Sequence, residues 1–334
     1  MAKDELLSNH AGSAEGGGAA AVRREVLQSL GVCFFYISMS SAMVFTNKAL
    51  SYNYGFTMTN ALLLMQMVFT IALLHFLRDI CGLLSFNRFE RDTALRIAPI
   101  SVFYCLNGAF ALVAVRELSV PSYTLVKRLA PMFSITLEFA LLGKRSKPRV
   151  LVALAVMLSG TLLAARADTR GTILGWSSGL VSCFLQGLYL TLVKKTGAET
   201  GLNSFGVLYY HSLISLPILS VLVVLLGEMQ PLLNYPQWTD MSFMIVLAWS
   251  LFMGVMLNYS LFLATELTSP TSTLVSGQVK AIGQTAIGMF TFGGAERNQA
   301  YIIGTLMNIG GGTGYGYSKY LDMKERADQQ KLPK

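Results

Sequence analysis

Lys280 lies within Pro270 to Gly293, a stretch otherwise almost free of charge and long enough to cross a bilayer. A lysine at that depth is costly, so an intramembrane charge points to a site. Thr273, Gly277, Lys280 and Gln284 follow the three- and four-residue steps that put side chains on one helix face. A cationic, polar face beside a glycine suits an anion held within the membrane. Lys280 is about ten residues, roughly 15 Å, from either end of its span, which makes snorkelling to the surface difficult. The plainer alternative is a pair with a buried carboxylate.

Lys127 and Arg128 lie deep in another apolar run, and Thr124, Lys127, Pro131 and Glu138 share a face there. Arginine grips a phosphate with two parallel bonds and lysine acts as a point charge, so the pair suggests a second phosphate contact. Glu138 is too far along one helix to neutralise Lys127 directly. Tyr209, Tyr210, His211 and Ser212 interrupt a third run. The tyrosines can stack on a base, and His211 and Ser212 can bond its edge. An aromatic belt at the membrane surface is the alternative. Lys48, beside Asn47, reaches cargo or anchors its helix at the interface, with anchoring preferred. His75 reads as interfacial. Asn258-Tyr-Ser260 matches a glycosylation acceptor but lies inside a span and should stay unmodified.

These residues need helices to hold them. The chain has 334 residues, 53% of them apolar and only 13% charged. Apolar runs of membrane length recur along it, at 29–50, 58–78, 96–115, 121–142, 149–165, 172–193, 204–227, 241–263, 270–292 and 299–318. Most Lys and Arg residues fall on the side that holds both termini, against Arg116, Arg166, Arg170 and Arg297 on the other. That bias predicts cytosolic termini and an even number of spans. The net charge of +8 lies in the connections, where it sets orientation and does not imply a nucleic-acid partner. Residues 1–28 read as a disordered cytosolic tail and 319–334 as a second tail.

Pro121-Ser-Tyr-Thr-Leu-Val recurs 149 residues later as Pro270-Thr-Ser-Thr-Leu-Val, and Thr136 matches Thr285 at the same offset. The expected fold is therefore an all-α polytopic membrane protein of ten transmembrane helices, as two inverted five-helix repeats at 29–165 and 172–318. Such repeats are the architecture of secondary transporters, with the site near midplane between them. Gly310, Gly311, Gly312, Gly314 and Gly316 suit close helix packing. No metal-ligand cluster, cofactor motif, P-loop or nucleophile elbow occurs, which argues against an enzyme and against ATP-driven pumping.

Ser276-Gly-Gln-Val-Lys-Ala281, Ile287-Gly-Met289 and Gly293-Gly294 resemble the nucleotide-sugar transporters of the drug/metabolite transporter superfamily. The likeness extends to Asn47-Lys48, Val126-Lys127 and the Tyr209-Tyr210 pair. GDP-mannose transporters carry Phe-Tyr-Asn-Asn and Gly-Ala-Leu-Asn-Lys at the corresponding places. The glycine–lysine spacing here is nearer the branch for UDP-glucuronic acid, UDP-N-acetylglucosamine and UDP-N-acetylgalactosamine. The resemblance implies a Golgi or ER membrane antiporter that exchanges a UDP-sugar for a nucleoside monophosphate, without a cofactor, and a homodimer is left open. In that reading Lys280, with Lys127 or Arg128, binds the diphosphate. Tyr209, Tyr210, His211 and Ser212 recognise the base, and Gly277 and Gln278 border the sugar. Alternatives are a GDP-sugar transporter, a phosphate-ester antiporter of the same fold, and a membrane-embedded glycosyltransferase or scaffold.

Overall fold

The computed structural model describes residues 2–86, 89–118, 123, 126–165, 172–278, 280 and 299–330, and holds no strand among them. Its helices are α1 (Ala2–Tyr54), α2 (Thr59–His75), α3 (Arg91–Glu117), α4 (Ala130–Leu142) and α5 (Pro148–Ala165). They continue as α6 (Ile173–Thr200), α7 (Ser204–Leu225), α8 (Met241–Leu267), α9 (270–278) and α10 (Gln299–Gln330). A π-helical turn, Phe76–Ile80, prolongs α2, and a short helix, Met229–Leu233, lies between α7 and α8. The segment read as an N-terminal tail continues α1. Among the described residues, six stretches are long and apolar enough to cross a membrane: Arg23–Tyr54, Thr59–Ile80, Arg91–Glu117, Ile173–Thr200, Ser204–Leu225 and Met241–Leu267. Ala130–Leu142 and Pro148–Leu163 are apolar but shorter. The runs expected at 121–142 and 270–292 lie partly outside the described residues.

Local chemistry sets the helix ends. The side chains of Thr172, Asn203 and Asp240 accept the amides of Gly175, Gly206 and Ser242 at 3.1, 2.9 and 2.9 Å, as N-caps do. Gly143 and Gly201 end α4 and α6 at φ 63° and 64°, a region that suits residues without a Cβ. Glu228, beyond α7, caps α2 from outside through the Ala61 amide at 2.8 Å and the Asn60 side chain at 2.7 Å.

α3 packs on α6 and α7, α2 on α7 and α8, α1 on α8, and α4 on α6. α10 lies along α5, and Lys147 and Arg149 pair with Asp322 and Glu325 at one end of that seam. Lipid supplies no hydrophobic force between helices, so close backbone approach carries much of the packing. A Cβ on Gly187 would lie 3.0 Å from the Ser134 nitrogen, and one on Gly311 would lie 2.8 Å from the Ala153 oxygen. Gly310 and Gly316 face open space, so the close packing expected of this glycine run centres on Gly311. Large apolar side chains such as Phe34 and Leu225 point outward, as they do against acyl chains.

Candidate functional site

The first cation site starts at a proline. Pro131 has no N–H to give the carbonyl four residues earlier, which belongs to Lys127. The chain turns at Arg128 and Leu129 before α4 begins at Ala130. The unclaimed Lys127 carbonyl accepts the Gln278 side-chain amide from α9 at 3.0 Å. A break in one helix is thus filled from another, as in the discontinuous helices that line membrane cavities.

At this break the Lys127 ammonium donates to Ser182 Oγ at 2.6 Å, Gln186 Oε1 at 3.2 Å and Asn107 Oδ1 at 3.3 Å. The Tyr123 ring centre lies 5.9 Å away. Ser182 and Gln186 come from α6, and Asn107 comes from α3. Arg128 is buried beside it.

The second cation, Lys280, donates to Ser40 Oγ on α1 at 2.6 Å. A Cβ on Gly277 would stand 3.6 Å from the Tyr36 hydroxyl, an ordinary contact, so this glycine leaves room beside the aromatic ring. Among the described residues no carboxylate lies within ion-pair distance of Lys127 or Lys280. Glu138 is engaged elsewhere, with Thr271. Both ammonium groups are therefore solvated by neutral oxygens, which leaves their charge available to an anion.

The Tyr209–Ser212 group sits apart, between α2, α3 and α8. Tyr210 Oη accepts the Glu90 amide at 2.9 Å. Tyr209 packs edge-on to His75 at 5.4 Å and lies 5.0 Å from Phe86. His211 Nδ1 meets Ser101 Oγ at 3.1 Å, and its ring lies 4.5 Å from Tyr104. His211 Nε2 and Ser212 Oγ are buried with no hydrogen-bond partner among the described residues. Such orphaned groups are rare and call for an explanation, of which a bound ligand or water is one.

α3 joins the two groups. Ser101, Tyr104 and Asn107 follow each other at three-residue steps on it and reach His211, then Tyr189 and Asn258, then Lys127. That stripe spans about 9 Å of helix. Sequence reasoning missed Asn107, Ser182, Gln186, Ser40 and the α3 stripe. A lone polar residue in an apolar run is common, and only the packing shows which of them turns toward a cation.

The remaining expected residues fall outside this arrangement. Thr273 is held in the α8–α9 seam, where it donates to the Ser269 carbonyl and accepts from Thr265. Lys48 is exposed near the far end of α1. Gln284 lies outside the described residues. A cavity of about 820 Å³ opens between α1, α9 and α10, and its lining includes Cys33, Ile37 and Ser276, the last one turn from Lys280.

Helices of membrane length around two half-buried cations with neutral ligands define a multispanning membrane transporter. The chain belongs to the Triose-phosphate Transporter family, which it matches over residues 27–316. It is 36% identical over 302 residues to UDP-galactose/UDP-glucose transporter 7 of Arabidopsis thaliana, covering 89% of this chain and 92% of that one. It is 28% identical to the UDP-N-acetylglucosamine transporter UGNT1 of the same plant, covering 86% of each chain. One crystal structure shares the fold with a TM-score of 0.60 at 15% identity, over 86% of this chain and 95% of that one. The resemblance to nucleotide-sugar transporters read from the motifs is borne out.

Proposed function

We propose that the chain is an antiporter that brings a UDP-linked sugar from the cytosol into the Golgi or ER lumen and returns a nucleoside monophosphate. The observation that carries this reading is the pair of half-buried ammonium groups, each held by neutral oxygens and each bonded across the halves. Lys127 of the first half meets Ser182 and Gln186 of the second, and Lys280 of the second meets Ser40 of the first. A diphosphate between them would replace those oxygens with charged ones. Arg128 stands ready at the break in the helix, with Gly277 and Gln278 beside the sugar. The orphaned atoms of His211 and Ser212 suit a pyrimidine edge, with Tyr209 and Tyr210 as the wall behind.

The inverted repeat, with ten spans and both termini in the cytosol, belongs to this proposal. One contact supports it in particular. Moved by 149 residues, Lys127 becomes Ser276 and Ser182 returns to Cys33. Cys33 and Ser276 line the same cavity between α1 and α9. The approach of Lys127 to Ser182 therefore has a counterpart between α9 and α1, which is the geometry two inverted halves would produce. Rocking of the halves would expose the site to each face in turn.

Counterflow into liposomes carrying the purified protein tests the function. UDP-glucose, UDP-galactose, UDP-N-acetylglucosamine, GDP-mannose, triose phosphate and phosphoenolpyruvate are each offered against trapped monophosphate. Uptake of a UDP-sugar, abolished by Lys280→Gln in a protein that still folds, is expected. Uptake of the small phosphate esters alone would replace the reading with a phosphate-ester antiporter. Full exchange by Lys280→Gln would remove the role given to that lysine.

A further inference from the structure

Glu138 is buried on α4, close to its end at Leu142. Its carboxylate accepts the Thr271 backbone N–H at 2.8 Å and also the Thr271 hydroxyl. Thr271 Oγ1 lies 3.2 Å from Ser134 Oγ, one turn back along α4. Thr271 stands in the first turn of α9, where amides have no acceptor within the helix and the dipole favours an anion. An acid of the first half therefore caps a helix of the second. Lys127 lies just before α4, and Lys280 lies two residues beyond the described end of α9.

The repeat makes this contact one-sided. Moved by 149 residues, Glu138 falls on Ile287 and Thr271 falls on Ser122. Isoleucine offers no side-chain acceptor, so the sequence does not repeat this carboxylate at the equivalent position of the second half. The capped end is the face where α4 and α8 end and α9 begins, next to the basic Lys144–Arg149 connection.

We propose that Glu138 and Thr271 form a latch that holds the α4–α9 seam shut at the basic face and releases when cargo passes that face. The inference rests on the alternating-access reading above. Release is cheap once water enters, because the carboxylate and the amide each exchange one partner for another. While the latch is shut, the resting population is biased toward opening at the opposite face. Removing it shifts that population by the differential stabilisation the latch supplies.

The test uses the full chain in lipid nanodiscs, with Cys33 and Cys81 replaced by Ser so that the buried Cys105 and Cys183 remain. One reporter is Ser134→Cys, beneath the latch. The other is Ser250→Cys, in the α2–α8 seam where Ser250 faces Gln66. Both positions are fully buried in this structure. The rate of maleimide modification is read at each. Glu138→Leu is expected to speed modification at the first reporter by about tenfold, as for a lost charged hydrogen bond, and to leave the second unchanged. Glu138→Gln keeps a neutral oxygen for the Thr271 amide and is expected to give a rate between the parent and Glu138→Leu. Equal rates at the first reporter in Glu138→Leu and the parent overturn the latch. So does an equal rise at both reporters, which would mark a loosened fold. Neither readout needs a cargo, so failure of the latch and failure of UDP-sugar exchange are separate results.

Discussion

Lys127 has three neutral oxygens around its ammonium, Lys280 has the Ser40 hydroxyl, and no described acid reaches either. Gln at either position can still bond those neutral partners but brings no charge to a phosphate. Lys127→Gln should therefore leave the fold intact while kcat/KM for the exchanged nucleotide-sugar falls by about 10- to 100-fold, the equivalent of roughly 1.5–3 kcal/mol for a lost charged hydrogen bond. Ser182→Ala should cost less, because Asn107 and Gln186 keep the ammonium in place. Equal losses in the two variants would mean that Ser182 touches cargo itself. Steady-state exchange and a thermal-unfolding curve on the same preparations separate activity from stability. Both lysines were legible in the sequence because a charge stands out against an apolar run. Their ligands were not, since serine, asparagine and glutamine are tolerated on many helix faces and carry no charge to betray them. The aromatic group at Tyr209 was legible as a cluster, but its orphaned His211 and Ser212 atoms became visible only once α3 and α8 closed around them.

Helices α2, α3 and α5 to α8 follow the apolar runs closely, because length and hydropathy decide a membrane helix almost alone. What hydropathy cannot show is the break before α4. Pro131 announces a missing N–H, yet only the docked α9 reveals that Gln278 takes the vacated carbonyl. The glycine run of α10 teaches the same lesson. Five glycines promised close packing, and the tightest described approach to α5 is at Gly311, where a methyl would meet the Ala153 oxygen and the Met157 nitrogen at 2.8 Å. Gly311→Ala should lower the stability of the purified protein by about 1–3 kcal/mol, the usual range for overpacking. Gly310→Ala, with nothing within 4 Å of the added carbon, should change it little. Thermal unfolding in one detergent would compare the two. A smaller loss for Gly311→Ala than for Gly310→Ala would mean that α5 and α10 are not held by this approach.

Two arrangements of the whole chain place both termini on one side. In one, all ten apolar runs cross the bilayer. In the other, only the six long helices cross, and the shorter segments dip in and return on the side they entered. Both give an even count, so the basic-residue bias cannot choose between them. The connection 143–147, between α4 and α5, can. If α4 and α5 each cross, it lies on the side of the termini, the cytosol in the proposed orientation. If they form a re-entrant hairpin, it is the tip of that hairpin and lies within the membrane, shielded from the cytosol. α4 alone has 13 residues, about 20 Å of helix against a hydrocarbon core of about 30 Å. The helical backbone at Val126 and Lys127 extends the segment toward the missing length. Lys144, Arg145 and Lys147 in or beside that connection carry the charge expected of a cytosolic loop. Lys147 also pairs with Asp322 and Glu325 of α10, which ties the connection to the C-terminal end of the chain. An epitope inserted between Gly143 and Lys144 should therefore be cut by protease added outside sealed Golgi or ER vesicles, as a C-terminal tag should be. An epitope between Glu228 and Asp240 should be cut only after the membrane is opened. Protection of the first epitope would reduce the chain to six crossings, and the inverted repeat would lose its basis.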